Sequence, residues 1–242
     1  MINNIPTVFH ITSWKAGSQW IRKIIEACVP GLTVTPHPYQ EQILKDPIQS
    51  GKVYPTLYIT REQFYGLQLP LLWKRFIVIR DLRDTLISGY FSLRFSHPVV
   101  AGDIDKWRNA LAALNQEDGL IYVFHEWLPF NAAIQLSWLN EEDEIIKYED
   151  LVQNDVEILE KVLLDKCLFP VPRDAFREIV ISNRFEMLTG GRQRGVEDLG
   201  AHERKGVPGD WKNIFTDKLR SMFKNKYGQL LIDTGYERDL DW

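Results

Sequence analysis

The chain has 242 residues, 45% of them apolar and 26% charged, which is enough apolar material for the core of one large domain. Its net charge of −4 excludes a surface that attracts nucleic acid as a whole, so any bound anion needs a local cluster of cations. The N-terminus lacks the pattern of a signal peptide, and no apolar run is long enough to span a membrane. These features predict a cytoplasmic protein in which Cys28 and Cys167 are free, buried thiols.

Short apolar runs alternate with helical patterns along the chain. The runs typical of strands are Thr7–Thr12, Val53–Ile59, Arg75–Ile79 and Glu144–Tyr148. Helical spacing of apolar residues predicts helices over Ser18–Cys28, from Arg83 onward, and over Asp103–Leu114, Leu120–Leu139, Val156–Leu164, Arg173–Ser182 and Thr216–Ile232. The helix Leu120–Leu139 is predicted to break near Pro129. This alternation favours an α/β fold with a mostly parallel sheet, in which ligands bind beyond the carboxyl ends of the strands.

The first of three segments that could bind an anion is TSWKAGSQW, from Thr12 to Trp20, between the first strand and the first helix. The N-terminus of a helix presents free backbone N–H groups and positive potential. Gly17 lets the backbone approach a ligand closely, while Lys15 adds a charge and Ser18 a hydroxyl. The segment is not a Walker A loop, because its lysine precedes its glycine, and it also fits an ordinary turn between a strand and a helix.

The second segment is FIVIRDLRDTLIS, from Phe76 to Ser88. A buried strand ends just before Arg80, at the edge where open α/β sheets bind ligands. An arginine together with the hydroxyl of Ser88 forms a good clamp for phosphate. The alternative is an Arg–Asp network that only stabilises the edge of the sheet, since Asp81 and Asp84 lie close by in the sequence.

The third segment is ERKGVPGDWKNIFT, which lies at the end of a predicted long loop, Gly190–Asp210. Arg204 and Lys205 are adjacent cations before a glycine, and flexible glycines let cations and backbone N–H groups converge on one anion. A solvated run of charges would explain the two cations equally well. Trp211 argues against that alternative, because it indicates a loop that is held on the body of the protein.

In this order, the three segments resemble the donor-binding motifs of the cytosolic-type sulfotransferases, which use 3′-phosphoadenosine 5′-phosphosulfate (PAPS). The first resembles the family's 5′-phosphosulfate loop, T-x-P-K-S-G-T-T-W, and RDLRDTLIS resembles its 3′-phosphate motif, R-(N/D)-P-(K/R)-D-x-x-x-S. RKGVPGDWKNIFT matches the family signature R-K-G-x-x-G-D-W-K-N-x-F-T almost letter for letter, and KYEDL, from Lys147 to Leu151, matches a fourth segment. The resemblance covers nearly the whole chain. It implies one sulfotransferase domain over 1–242, with a three-layer α/β/α fold and a P-loop-like nucleotide site.

The resemblance also implies which residues bind the donor. The 5′-phosphosulfate would be held by Lys15, Ala16, Gly17, Ser18 and Gln19. The 3′-phosphate would be held by Arg80, Ser88, Arg204, Lys205 and Gly206. The adenine would contact Trp20, Tyr148 and Phe185. Asn183 stands where the family has a threonine near the adenine, which puts that one polar contact in doubt.

One family feature is missing. The family carries K-T-H-L-P after its first helix, and the histidine of that motif is the general base. The corresponding strand here reads KVYPTLYITREQF, so that Leu57 stands in the place of the histidine and Pro55 in the place of the lysine. Since leucine cannot accept a proton, the base must come from elsewhere, and Glu62 and His37 are the first two predicted candidates. His10 and His97 are further options, although His97 also fits a structural turn, and His125 and His202 are predicted to be surface or packing residues.

The sequence therefore predicts a sulfotransferase in which Lys15 stabilises the leaving phosphate and no metal takes part. The predicted acceptor is a hydroxyl of a small molecule, with an apolar body as one option. Aromatic residues near positions 54–65 and 90–95 could line its pocket or belong to the core. Two alternatives stay open, namely a protein that binds PAPS or its product 3′-phosphoadenosine 5′-phosphate (PAP) without turnover, and a P-loop-like kinase.

Overall fold

The central sheet is parallel, as predicted. The computed structural model describes residues 5–34, 46–98, 103–139 and 144–242, and within them four strands form one sheet. The strands are β1 Thr7–Thr12, β2 Val53–Leu57, β3 Trp73–Ile79 and β4 Ile145–Lys147. They pair in the order β2-β1-β3-β4, and every pair is parallel. All four predicted strands exist, although Val53–Ile59 ends two residues earlier than predicted.

Helices cover both faces of this sheet. The described helices are α1 Ser18–Cys28, α2 Arg61–Tyr65, α3 Leu82–Phe91, α4 Asp103–Ala112, α5 Gln116–Glu126, α6 Leu128–Ser137, α7 Tyr148–Leu159, α8 Arg173–Ser182, α9 Phe185–Leu188, α10 Trp211–Ile214 and α11 Asp217–Asp233. Two π-helical turns, Ser92–Ser96 and Glu160–Lys166, follow α3 and α7. The predicted helix Leu120–Leu139 is divided at Trp127, because Pro129 lies in the first turn of α6, where its missing N–H needs no partner.

Alternate residues of the central strands point to opposite faces. On one face, Val8, Phe76 and Val78 pack against apolar residues of α1, α7 and α8. On the other face, Phe9 and Ile77 pack in a cluster that includes residues of α2 and α6. Because both faces are covered, β1 is buried along its whole length. The predicted three-layer α/β/α fold is confirmed.

A buried arginine ties the C-terminus to the edge of the sheet. The Arg83 side chain is 2% exposed, donates to the carboxylate of Asp81 and pairs with Glu237. Its guanidinium lies between the rings of Trp211 and Trp242, 3.8 and 4.3 Å from their centroids. The Arg–Asp network that was one alternative for this segment therefore exists. It is built mainly on Arg83, and Arg80 also pairs with the buried carboxylate of Asp84 at 3.8 Å.

Two simpler predictions concern the thiols and the membrane. Cys28 and Cys167 are both free and buried, and burial raises the pKa of each thiol to about 12. They are therefore protonated and unreactive at neutral pH. Across the described ranges, no helix has both the length and the apolar character needed to cross a membrane.

Candidate functional site

The loop between β1 and α1 has the shape of an anion cradle. Lys15 and Gly17 both have positive φ, 65° and 78°, and Gly17 is the N-cap of α1. No side chain caps this helix, so its first N–H groups remain available to an anion. A Cβ at Gly17 would lie 2.9 Å from ring atoms of Tyr148, so only glycine permits this backbone approach.

Three cations from three distant segments converge on this cradle. The pKa of Lys15 is lowered to about 8, chiefly by burial and also by the charges of Arg80 and Arg204, while the charge of Glu203 acts to raise it. The guanidinium of Arg80 also donates to the backbone oxygen of Lys15 at 3.0 Å. Like charges held this close favour the binding of an anion between them.

Arg80 also reaches the predicted adenine side. Its guanidinium lies 4.7 Å from the ring centroid of Tyr148, whose ring meets that of Trp20 edge-on at 6.4 Å. The Nε atom of Arg80 is buried and has no hydrogen-bond partner among the described residues. The fold thus brings together Lys15, Gly17, Trp20, Arg80 and Tyr148.

The loop that carries Arg204 and Lys205 is held on the body of the protein. Both side chains donate to the buried carboxylate of Asp210, each at 2.6 Å. Burial acts to raise the pKa of Asp210, but the hydrogen bonds from Lys205 and Arg204 outweigh it and lower the pKa. Asp84 of α3 accepts the backbone N–H groups of Gly209 and Trp211. A freely solvated charge run is therefore excluded.

The same loop brings the remaining predicted donor residues together. The guanidinium of Arg204 lies 4.4 Å from the ring centroid of Phe91. Ser88 lies one turn earlier on the same side of α3, is half-buried, and makes no side-chain hydrogen bond within the described residues. Gly206 has φ +69°, and a Cβ there would lie 2.6 Å from the ring of Phe185. Phe185 and the Arg-Lys-Gly segment are thus in direct contact.

Comparison with known families decides the identity. The family described as the sulfotransferase domain matches residues 70–235, which is more than half of the chain. The chain belongs to the sulfotransferase domain family. The prediction of a sulfotransferase is confirmed, and the kinase-like alternative is set aside. The match includes both segments that were predicted to bind the 3′-phosphate, but it begins after the cradle.

Solved structures agree on the fold of this sulfotransferase. The mouse sulfotransferase SULT7A1 complexed with PAP is 19% identical, with a TM-score of 0.65 over 97% of this chain and 88% of its own. Retinol dehydratase with retinol and PAP is 13% identical, with a TM-score of 0.58 over 93% and 81%. Retinol dehydratase with androsterone and inactive cofactor PAP is 12% identical, with a TM-score of 0.57 over 93% and 80%. No curated protein matches the chain.

In this sulfotransferase, the side chain that stands in the place of the family's general base is buried. Leu57 is 6% exposed and packs in the same cluster as Phe9, Ile11 and Ile79. Glu62 is exposed in the first turn of α2, beside a surface cavity of about 840 Å³. None of the predicted donor residues lines that cavity, whose other lining residues are Arg61, Tyr65, Gly66 and Ser137. His37 lies outside the described residues.

Two histidines, His97 and His202, lie within electrostatic reach of Lys15. The sequence favoured a structural turn for His97 and a surface or packing role for His202. Burial and then the charge of Lys15 lower the pKa of His97. The pKa of His202 is lowered to about 4 by partial desolvation and then by the charge of Lys15, with smaller effects of His97 and Lys23, although the residue as a whole is exposed. His10 is different, because its ring is fully buried within β1 and its Nδ1 lies 2.6 Å from the oxygen of Pro55.

Buried polar groups of α6 support the cradle, and the sequence analysis missed them. Asn131 accepts the backbone N–H of Trp14 at 2.8 Å, and Gln135 donates to the backbone oxygen of Arg80 at 2.9 Å. The two amides are four residues apart on one face of an otherwise apolar helix, LPFNAAIQLS. That spacing was the available signal, since polar side chains on a buried helix face need partners.

Most of the aromatic residues considered for the acceptor pocket belong to the core. Four of them are at most 9% exposed and pack inside buried apolar clusters, namely Tyr54, Phe64, Tyr90 and Phe91. Tyr65 and Phe95 are exposed, at 46% and 42%. Tyr58 alone in this set has a polar contact with the cradle. No group of three or more metal-binding side chains occurs in the described ranges.

Proposed function

We propose that this sulfotransferase transfers the sulfuryl group of PAPS to a hydroxyl of a small-molecule acceptor. The observation that carries the proposal is the convergence of Lys15, Arg80 and Arg204 from three segments on one uncapped helix N-terminus. PAPS carries anionic groups at two separate positions of one adenosine. A cradle for one end and an Arg/Lys pocket for the other match that distribution of charge.

The donor orientation follows from the two parts of the site. The 5′-phosphosulfate lies on the N–H groups of Ala16–Gln19, beside Lys15. The 3′-phosphate lies between Arg80, Ser88 and the Arg204–Gly206 segment, and the adenine lies near Trp20, Tyr148 and Phe185. Two remote phosphate contacts supply binding energy that orients the reacting sulfur.

The reaction is an in-line displacement at that sulfur. The acceptor oxygen forms a bond to sulfur while the bond from sulfur to the bridging phosphate oxygen breaks. Lys15 neutralises the charge that develops on this oxygen as it leaves. The acceptor proton passes to a base of the protein, and PAP is the second product.

Several side chains compete for the role of that base. Glu62 and His37 remain the proposals made from the sequence. His97 is a third, and two observations support it. The charge of Lys15 acts on its ring, and its Nδ1 is buried and meets no described residue with good hydrogen-bond geometry, although the backbone of Pro98 is close enough to act to raise its pKa. Because its pKa is lowered, the imidazole is neutral near pH 7 and able to accept a proton. We therefore place His97 first.

The acceptor is proposed to be an alcohol or phenol on a small, largely apolar molecule. Support comes from the two structures of retinol dehydratase, which hold retinol and androsterone, both apolar molecules with a hydroxyl group. The exposed rings of Tyr65 and Phe95 are the aromatic surface that such a body could contact. Screening phenols against sterol-like alcohols tests this choice.

A thermal-shift titration with PAP tests the donor site. A ligand that binds only the folded protein raises the unfolding midpoint with a dependence on its concentration. We expect PAP to raise the midpoint at far lower concentration than ATP or adenosine 5′-phosphate. No shift with PAP, or a larger one with ATP, would contradict the proposal. A shift with PAP but no turnover of any phenol or alcohol would instead favour the non-catalytic PAP-binding alternative.

Arg204→Ala tests whether Arg204 contacts the 3′-phosphate of the donor and not its 5′-phosphate. We expect it to weaken PAP binding by roughly 10- to 100-fold and adenosine 5′-phosphate binding by less than about threefold, because a charge-assisted contact to the 3′-phosphate is lost. Calorimetry with both ligands measures the difference. Arg177→Ala is the control, since its side chain is 51% exposed and pairs with Glu160. Equal losses for the two ligands would show that Arg204 does not read the 3′-phosphate.

A further inference from the structure

Tyr58, the residue that follows β2, is hydrogen-bonded to the cradle through its hydroxyl. The oxygen of Tyr58 lies 2.9 Å from the Oγ of Ser18, and Gln19 also hydrogen-bonds the phenol. Ser18 and Gln19 are the first two residues of α1, where its N–H groups are free. Tyr58 directly follows Leu57, so the residue beside the family base position presents its polar group to the cradle.

The direction of this hydrogen bond matters for the cradle. Burial raises the pKa of Tyr58, which keeps the phenol protonated at neutral pH. A phenol proton donated to Ser18 leaves the proton of the serine hydroxyl free to point at an anion. Hydrogen bonds in such a chain strengthen one another, because each donor becomes more polarised when its own oxygen accepts a bond.

We propose that Tyr58 is a positioning residue of the phosphosulfate cradle, whose phenol fixes Ser18 so that the serine hydroxyl donates to the 5′-phosphosulfate. This inference rests on the proposed function, since it needs the 5′ end of the donor at α1. The residue that follows β2 thus orients a group of the cradle, which the apolar side chain of Leu57 cannot do. The orientation is set before the donor binds, so the contact costs no rearrangement during the reaction.

A purely structural role would leave a different signature. The Tyr58 ring also packs edge-on against Trp14, with centroids 5.9 Å apart, and that contact alone could explain a tyrosine here. Tyr58→Phe keeps the ring and removes only the hydroxyl. Tyr54→Phe is a matched control from β2, because the Tyr54 hydroxyl is hydrogen-bonded too, accepting from the N–H of Gln49 at 2.8 Å, but that bond does not involve the cradle.

A double-mutant cycle tests the inference with Tyr58→Phe, Ser18→Ala and the double variant. We expect Tyr58→Phe to lower kcat/KM for PAPS about tenfold, the size expected for one lost hydrogen bond. In the Ser18→Ala background, the same change should have less than about a twofold effect, because the residue acts through Ser18. The unfolding midpoint and the KM for the acceptor should be unchanged, and Tyr54→Phe should behave as wild type in kcat/KM.

The outcomes separate the two proposals. If wild type binds PAP but Tyr58→Phe keeps full kcat/KM, or loses the same factor with and without Ser18, the positioning role is overturned and the proposed function stands. If Tyr58→Phe lowers only the unfolding midpoint, the role is structural and the inference is again overturned. If wild type does not bind PAP in the thermal-shift titration, the proposed function and this inference both fall.

Discussion

Lys15→Met should lower kcat by about 100- to 1,000-fold, the usual cost of removing one preorganised charge from a transition state. Lys15 lies in the cradle within reach of the charges of Arg80 and Arg204, and in the proposed donor orientation its ammonium neutralises the phosphate that leaves. The charge on that oxygen develops only as the bond to sulfur breaks. We therefore expect the KM for PAPS to change much less than kcat.

Steady-state kinetics with a fixed acceptor measure this effect. Lys161→Met is the matched control, because its ammonium is 71% exposed and pairs with Glu144 on the surface. The control should keep the wild-type kcat. A Lys15→Met variant that folds, binds PAPS and keeps kcat within a few-fold of wild type would remove Lys15 from the mechanism.

The pH profile adds a second, independent check on Lys15. Its pKa is lowered to about 8, so the free enzyme loses this charge as the pH rises through that value. Because kcat/KM reports groups of the free enzyme, we expect kcat/KM for PAPS to fall on the alkaline side of about pH 8. Lys15→Arg should move that alkaline limb to higher pH, since a guanidinium stays protonated. An unmoved limb would assign it to another group.

His97→Asn should lower kcat by about 100- to 10,000-fold, the range for general acid–base catalysis, with PAP affinity nearly unchanged. The imidazole is neutral near pH 7, because burial and the charge of Lys15 lower its pKa. The acid limb of the profile should therefore lie below the ordinary histidine range, since activity is lost only when the pH falls through this lowered pKa. The variant should lose that limb.

The same assay compares the competing bases. His125→Asn is the control, because His125 is exposed on α5 and packs edge-on against the ring of Phe124. Glu62→Gln and His37→Ala should retain most of the turnover if His97 is the base. If instead Glu62→Gln loses turnover and His97→Asn does not, the base is Glu62. Loss in His202→Asn alone would assign the role to the second histidine near Lys15.

Much of the fold could be read from local patterns. Thr7–Thr12 and Ser18–Cys28 were predicted with the bounds that the structure has, because a continuous apolar run and a 3.6-residue period are properties of each segment alone. The conformation at Gly17 is also local, since a strand that turns into a helix needs a residue tolerant of positive φ. Boundaries that depend on contacts, such as the end of β2 at Leu57, were less accurate.

The candidate site, too, could be predicted from the sequence only in part. The motif segments were recognisable because a phosphate cradle needs particular residues at close spacing, and such spacing survives in the sequence. The motif resemblance singled out Arg80 for the donor, but the sequence did not show what Arg83 does. Arg80 and Arg83 are three residues apart, and only the packing of Trp211 and Trp242 around Arg83 shows that this one is structural.

The sequence by itself determined the family, the parallel sheet and the segments that are proposed to bind the donor, because each depends on contiguous residues. Only the tertiary structure decided what stands near Lys15, including Tyr58, His97 and the Arg204 loop. Those groups come from segments far apart in the chain, and no local sequence pattern indicates that they lie close together. Their pKa values and hydrogen bonds depend on burial and on neighbouring charges, which exist only once the chain has folded.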